Sequence, residues 1–382
     1  MNINIFGSTG IIGSKSLKIL NKYFPEIKVN LLTANNNVSK LIKQAKLYSP
    51  KFVYINNKKK ILNLKKALNS NIKIIDYKNL NSFLSSTNSD LSILAISGYR
   101  SLDHFEYIIK NTSSLGLVSK EAIVSAGHLF KYLSKNNIEK IFPLDSEHYS
   151  IYDYFNNIKD KNFNKLFITA SGGPFFGKKF SSLKYVKFHE ASKHPKWKMG
   201  YKNSIDSATL SNKCLELIEA HYLFKIPYKK LNITIHPDSK IHSIIEKDNF
   251  IYDMIGFQND MFIPIYNFFN KKFKKNLKIN KFSFNSNSNF SFFDVKFDEF
   301  PIYKLFLQLD KNDPTNIIKF NVGNEYAVNL FKKNMINYTD IYRFIAKISS
   351  LNLNYKLNNI KDIIEYHEYL ENHINNNLQK YI

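Results

Sequence analysis

The sequence predicts an α/β protein with three parts. These are an N-terminal Rossmann-like dinucleotide-binding domain, a central α+β catalytic domain and a C-terminal α-helical bundle. Three observations predict this. Short apolar runs alternate with helical stretches over residues 1–144, the pattern of βαβ units on a parallel sheet. A glycine loop, Gly7-Ser8-Thr9-Gly10-Ile11-Ile12-Gly13, follows the first apolar run directly. From Pro301 onward the apolar spacing is helical.

Taken in order, the expected strands are Asn2–Phe6, Val29–Thr33, Phe52–Ile55, Ile72–Asp76, Leu91–Ile96, Leu115–Val118 and Lys140–Pro143. Helical stretches such as Ser14–Tyr23 and Val38–Tyr48 lie between them. Residues 145–269 change texture: polar, motif-dense segments mark a domain that carries chemistry. Residues 270–299, rich in Lys, Asn, Ser and Phe with little helical period, read as a linker crossing the molecule. Residues 300–382 hold the expected helices Tyr303–Leu309, Ile317–Lys333, Thr339–Ser349 and Ile360–Leu378. A chain of 382 residues is long enough for two or three such domains.

Composition narrows the function classes. The net charge of +24 invites a nucleic-acid reading. However, the charge comes from lysines scattered among asparagines rather than from a patch. Arginine, the preferred base reader, occurs only at Arg100 and Arg343. No nucleic-acid partner is expected. No apolar run reaches the roughly 18 residues of a membrane span, and the chain opens on an apolar strand rather than a basic leader. A cytoplasmic location with no membrane partner is the expectation. Cys214 is the sole cysteine, so neither an internal disulfide nor a cysteine-based zinc site is available.

The glycine loop sits between a strand and a helix, where a dinucleotide pyrophosphate would meet free helix N–H groups. An NAD enzyme places an acid at the end of the second strand, about 20 residues on. Here that position reads Asn35-Asn36-Asn37. The missing acid suits a 2′-phosphate, and it equally suits an idle surface loop.

Asp145 and Glu147, two apart after an apolar strand, are read as sharing one side of an extended chain. Such hard oxygen ligands suit Mg²⁺ or Mn²⁺, although an Asp-x-Glu pair is more often a solvated surface pair. Glu216 is the best third carboxylate. On its helix, Asn212 and Glu216 share a face with Lys213 beside them. That face could hold an anion and a metal, or be a plain surface ion pair. Ser171-Gly172-Gly173 and Ser207 offer hydroxyls and backbone N–H groups to a phosphate, or form a turn. His194 opens a Gly-bounded loop containing the only tryptophan, Trp197. This residue is either core or part of a lid.

In joint order and spacing these segments resemble the 1-deoxy-D-xylulose 5-phosphate reductoisomerase family over nearly the whole chain. The segments are Gly7-Ser8-Thr9-Gly10, Ser119-Lys120-Glu121, Pro143 through His148, Ser171 through Phe175, His194 through Gly200, Asp206-Ser207-Ala208-Thr209, Asn212-Lys213 through Glu216, Ile235-His236-Pro237 with Ile241-His242-Ser243, and Asn324-Glu325.

The resemblance implies an NADPH-dependent enzyme with a divalent metal (Mg²⁺, Mn²⁺ or Co²⁺), a phosphorylated sugar substrate and a homodimeric state. It implies that Asp145, Glu147 and Glu216 hold the metal, and that Ser171, Ser207, Asn212 and Lys213 hold the phosphate. Lys120, Ser146, Glu147, Glu216 and His194 then meet the rest of the substrate, with Trp197 on a closing loop. Lys120, Asp145, Glu147, His194 and Glu216 form the implied catalytic set. The implied cofactor contacts are Gly7, Thr9, Gly10, Ile11, Ile12, Asn35, Asn36, Asn37, Ser119, Glu121 and Gly200. The implied reaction is a retro-aldol/aldol rearrangement followed by hydride transfer, giving 2-C-methyl-D-erythritol 4-phosphate for non-mevalonate isoprenoid synthesis.

Three positions depart from the family pattern. Ser119 stands for an asparagine, Asn35-Asn36-Asn37 for Gly-Lys-Asn, and Ser97-Gly98-Tyr99-Arg100-Ser101 for a small, glycine-rich run. Arg100 offers a substitute for the lost loop lysine.

Two other classes compete. A semialdehyde dehydrogenase would share the glycine loop but needs a reactive cysteine, for which only Cys214 is available. A non-enzymatic nucleotide- or nucleic-acid-binding protein would use the basic charge.

Overall fold

The computed structural model describes residues 1–132, 135–158, 162–194, 200–277 and 290–382. They form two compact units. One comprises the described residues of Met1–Ala122, Lys131–Tyr149 and Asp260–Asn280; the other comprises those of Ile123–Phe130, Ser150–Asn259 and Lys281–Ile382.

The first unit is built on seven parallel strands: β1 (Asn2–Phe6), β2 (Lys28–Ala34), β3 (Phe52–Ile55), β4 (Lys73–Ile74), β5 (Ser89–Leu94), β6 (Thr112–Leu117) and β7 (Ile141–Pro143). Their order is β4-β3-β2-β1-β5-β6-β7. Parallel strands covered on both faces read as continuous apolar runs, which is why the alternation was visible in sequence. Ile3, Ile5, Leu31, Leu32, Val53 and Ile93 are fully buried. The expected strand Ile72–Asp76 shrinks to two residues, because β4 is an edge strand paired only with β3. Strand order reverses at β1, so the crevice at the carboxyl ends of β1 and β5 is the ligand-binding switch point of such a sheet.

Helix α1 (Ile11–Tyr23) begins three residues earlier than its apolar pattern suggested, with Gly13 in its first turn. Glycine is ordinarily poor in a helix. Here no larger residue fits, since a Cβ on Gly13 would lie 2.5 Å from the Gly7 carbonyl oxygen. Phe24 closes α1 and packs its ring against Tyr266, Phe269 and Phe273 of the helix Phe262–Phe273, with centroids 5.0–5.7 Å apart. Helix α2 (Val38–Tyr48) is capped by Asn37, whose side chain accepts from the Lys40 N–H.

The second unit holds a four-stranded mixed sheet. Its strands are β8 (Lys165–Ala170), β9 (Leu231–Ile235), β10 (Ile241–Glu246) and β11 (Tyr252–Gly256), in the order β11-β10-β8-β9. Only β8 and β9 run parallel. The helix Ser211–Phe224 packs on β8 and β9.

The C-terminal helices are Pro301–Gln308, Pro314–Lys332, Asp340–Ser349 and Ile360–Asn376. The first two start at prolines, residues that suit a first helical turn because no N–H is needed there. Asp313 caps the second by accepting from the Thr315 N–H at 2.8 Å. Phe306, Phe320, Phe344, Tyr338 and Tyr366 fill the core of this bundle.

Of the expected linker, residues 278–289 lie outside the described residues. Phe293 bridges antiparallel to Ile235, and Glu299 accepts from the Gly177 N–H at 2.9 Å. Among the described residues no helix is long and apolar enough to cross a membrane.

Candidate active site

At the carboxyl end of β1 the chain turns on Gly7, whose φ of +78° favours glycine. A Cβ there would lie 2.4 Å from the Ala95 carbonyl oxygen. The loop is fixed by polar groups buried beneath it. Gly7 N–H donates to Thr33 Oγ1 (3.0 Å), and Ser8 Oγ donates to Gln44 Oε1 (2.8 Å) and to the Thr33 carbonyl (3.1 Å). Gln44 Nε2 returns a bond to the Ser8 carbonyl (2.8 Å). The sequence reading missed Ser8, Thr33 and Gln44, because a glutamine on an amphipathic helix reads as surface until the strand beneath it is known.

The cap residue of α1, Gly10, has no side chain, and no acid occupies the first turn. The first helical N–H groups, at Ile11, Ile12 and Gly13, have no acceptor within the helix, and Ile11 is exposed. This cradle of backbone donors at a positive helix end fits a pyrophosphate.

Asn35, Asn36 and Asn37 follow β2. Asn56 Nδ2 donates to Asn35 Oδ1 at 3.2 Å, and Asn57 Nδ2 to Asn36 Oδ1 at 2.9 Å. Arg100 lies over the Tyr99 ring with a guanidinium nitrogen 3.9 Å from Asp103. Its charge is therefore partly matched already.

Ser119 is buried and donates to the carbonyls of Leu94 and Ile96. Lys120 and Glu121 open the next helix, Lys120–Ala126, both half-buried.

Asp145 and Glu147 do not share one side of an extended chain. Ser146 already begins the helix Ser146–Asn157, and Asp145 caps it. Its Oδ1 accepts from the N–H groups of Glu147 (3.0 Å) and His148 (3.1 Å), and from His148 Nδ1 (3.0 Å). Its Oδ2 lies 4.0 Å from Lys120 Nζ. Glu147 is buried and accepts from Ser146 Oγ at 2.7 Å. Two carboxylates at a helix start, one of them buried, form an oxygen-rich donor set that fits a hard divalent cation.

In the second unit, Ser171 directly follows β8. Its Oγ lies 2.9 Å from His194 Nε2, which is itself 3.1 Å from Ser207 Oγ. Gly173, also at positive φ, lets this loop abut the next helix: a Cβ there would lie 2.7 Å from the Ala208 Cα. Ser207 is carried by the helix Tyr201–Ala208, which Gly200 caps from an exposed position.

Leu210, in a left-handed conformation, joins that helix to Ser211–Phe224. There Asn212 Nδ2 donates to Glu216 Oε1, and Lys213 Nζ to Glu216 Oε2 at 2.7 Å. Lys213 and Glu216 are buried, so they are not the surface ion pair that the segment also allowed. Trp197, with the rest of 195–199, lies outside the described residues.

Two long-range bonds hold Ser207 in place from either side. Asn324 Nδ2 donates to the buried carboxylate of Asp206 (2.9 Å), which also takes Lys202 Nζ (2.7 Å). Tyr338 OH donates to the Ala208 carbonyl (2.9 Å). Asn324→Leu removes one donor from a buried carboxylate. The expected loss is about 1–3 kcal/mol in urea unfolding, with a raised substrate KM because Ser207 is less firmly held.

Cys214 is fully buried, and burial pushes its thiol pKa well up, the opposite of what a nucleophile needs. Cys214→Ala is expected to keep activity within about twofold, as an inert packing position allows. Complete loss in a folded variant would return the dehydrogenase reading.

Models of the 1-deoxy-D-xylulose 5-phosphate reductoisomerase match residues 3–127, 141–224 (C-terminal domain) and 258–372 (a further C-terminal domain). Proteins named 1-deoxy-D-xylulose 5-phosphate reductoisomerase are similar along most of their length. That of Pelagibacter ubique is 37% identical over 349 residues, 91% of this chain and 90% of its own. That of Malacoplasma penetrans is 35% identical over 379 residues, 99% and 93%.

Among solved structures, the Zymomonas mobilis reductoisomerase in complex with NADPH superposes with a TM-score of 0.83 at 28% identity, covering 97% of this chain and 96% of that one. A DOX-P reductoisomerase in complex with NADPH, fosmidomycin and magnesium gives 0.82 at 26%, covering 99% and 98%. The chain belongs to the 1-deoxy-D-xylulose 5-phosphate reductoisomerase family.

Proposed function

We propose a division of roles among this chain's residues for the family's reaction. The chain is an enzyme. It converts 1-deoxy-D-xylulose 5-phosphate to 2-C-methyl-D-erythritol 4-phosphate by rearrangement and reduction, using NADPH and a divalent metal. When bound, NADPH supplies the hydride and the metal supplies Lewis-acid polarisation of substrate oxygens.

Asp145, Glu147 and Glu216 are the proposed metal ligands. Ser171, Ser207, Asn212 and Lys213 take the substrate phosphate, while Ser146, Lys120 and His194 orient the carbon chain and Trp197 covers it. The backbone of Gly7, Thr9, Gly10, Ile11 and Ile12, with Asn35–Asn37, Ser119, Glu121 and Gly200, holds the dinucleotide. Binding energy from a phosphate remote from the reacting carbons serves orientation.

The observation that carries this reading is the Asn212–Lys213–Glu216 face, on which Lys213 and Glu216 are buried and Asn212 is half-buried. Burying an ammonium and a carboxylate is costly unless they are paired or meet ligands. Lys213 Nζ is held at Glu216 Oε2 at 2.7 Å, which places an ammonium charge of the kind a phosphate needs on this face. Domain roles follow: 1–144 for the dinucleotide, 145–269 for metal and substrate, 270–299 as linker, and 300–382 as the bundle that anchors Ser207.

A homodimer is part of the same reading. Strand β11 is a sheet edge with Tyr252 and Met254 exposed, and such edges invite pairing. A cytoplasmic location suits the free thiol of Cys214. Light scattering tests the dimer. NADPH oxidation on addition of the substrate tests the activity. Oxidation that needs Mg²⁺ or Mn²⁺ supports the reading, and none with either metal overturns it.

A further inference from the structure

We propose that Lys60 selects the phosphorylated dinucleotide, its ammonium meeting a ribose 2′-phosphate at the end of β2, where the loop itself has no charge. This rests on the dinucleotide reading of the Gly7–Gly13 loop. In a doubly wound sheet the end of the second strand meets the adenosine ribose, and a carboxylate there favours a free 2′-hydroxyl whereas a cation favours a 2′-phosphate.

The residues at that point, Asn35, Asn36 and Asn37, are neutral. The loop is nevertheless laced to the turn after β3. Asn56 N–H donates to the Ala34 carbonyl (2.9 Å) and Asn57 N–H to the Asn35 carbonyl (3.1 Å), beside the two side-chain amide bonds described above. That lacing brings in the short turn Lys58–Lys60, and Lys60 Nζ donates to the Asn36 carbonyl at 2.8 Å.

Lys60 is half-buried, unlike the exposed Lys58 and Lys59, and its bond to the Asn36 carbonyl fixes the ammonium at the loop on the solvent side. One of its three donors is engaged with a neutral carbonyl, leaving two donors and the full charge. Lys40, in the first turn of α2, makes the same kind of bond to the Thr9 carbonyl (2.8 Å) and ties the asparagine loop to the phosphate loop. No acid stands in the first turn of α2, whose positive end faces the same way. Among the described residues neither Lys40 nor Lys60 is paired with a carboxylate. Arg100, the other candidate cation, already has Asp103.

The test is the dissociation constant of NADPH and of NADH for the full chain, by quenching of reduced-nicotinamide fluorescence or by calorimetry. Lys60→Met is expected to weaken NADPH by about tenfold or more, a factor typical of one close ion pair, and to leave NADH within about twofold. Lys60→Arg retains the preference, which shows that charge and not packing is read. Added salt weakens NADPH more than NADH in the wild type, and this difference shrinks in Lys60→Met. If Lys60→Met leaves NADPH affinity unchanged, or weakens both nucleotides equally, the lysine assignment is overturned. A wild type that binds neither nucleotide overturns the dinucleotide reading and the assignment with it.

Discussion

Glu216→Gln lowers kcat/KM by about a thousandfold, equivalent to about 4 kcal/mol of lost transition-state stabilisation. Glu216 is almost inaccessible to solvent and shares its two oxygens between Asn212 and Lys213. The glutamine keeps the shape and removes the charge. A divalent cation then loses an anionic ligand, and Lys213 is left buried beside a neutral amide. The second effect alone destabilises by about 3–5 kcal/mol, the range for breaking a buried pair.

The two effects separate with a second variant. Glu216→Gln combined with Lys213→Met removes the buried ammonium together with its carboxylate partner and recovers stability in urea unfolding, yet stays inactive. Mn²⁺ binding followed by electron paramagnetic resonance gives the direct readout. Weakened Mn²⁺ in Glu216→Gln supports its ligand role. Unchanged Mn²⁺ affinity removes Glu216 from the ligand set.

Substitutions in the glycine loop divide by position. Gly10→Ala leaves the fold intact, because Gly10 has an ordinary extended backbone (φ −68°) and a Cβ would meet only the Gly7 carbonyl oxygen, at 3.2 Å. The methyl group would stand at the mouth of the donor cradle and hold a pyrophosphate away from the N–H groups of α1. NADPH affinity is expected to fall by about 10- to 100-fold, some 1.4–2.8 kcal/mol, with substrate KM little changed.

Gly7→Ala is a folding defect instead. Its positive φ costs about 1–3 kcal/mol in a non-glycine residue, and its Cβ would collide with backbone at 2.4 Å. Thermal unfolding separates the two. Equal melting losses in both variants would contradict the assignment of Gly10 to ligand approach.

The parts of this molecule that were legible in sequence are those with local rules. Strands buried on both faces give apolar runs, and the glycine loop gives its own spacing. Asp313-Pro314 announces a helix start, although the helical pattern alone put it at Ile317. Asp145 was misplaced for a related reason. An Asp followed by a Ser-Glu-His turn is also a helix cap, while the strand before it favours an extended chain in sequence.

What stayed hidden depends on pairings distant in sequence. Gln44 under the phosphate loop, Asn56 and Asn57 against the asparagine loop, and Asn324 and Tyr338 around Ser207 are polar residues without a period or a motif. Their meaning appears only once the strands and helices that carry them are neighbours. The same holds for the cation at the end of β2, which comes from a lysine-rich turn that resembles any solvated charge run.

The most direct measurement is the carbon skeleton of the product. Purified chain is incubated with 1-deoxy-D-xylulose 5-phosphate, NADPH and Mg²⁺, and the product is examined by carbon NMR. The expected result is the branched 2-C-methyl-D-erythritol 4-phosphate, formed one for one with NADPH oxidised, absent with a chelator and restored by Mg²⁺ or Mn²⁺. A straight-chain reduced sugar phosphate, or NADPH oxidation indifferent to the chelator, would contradict the account.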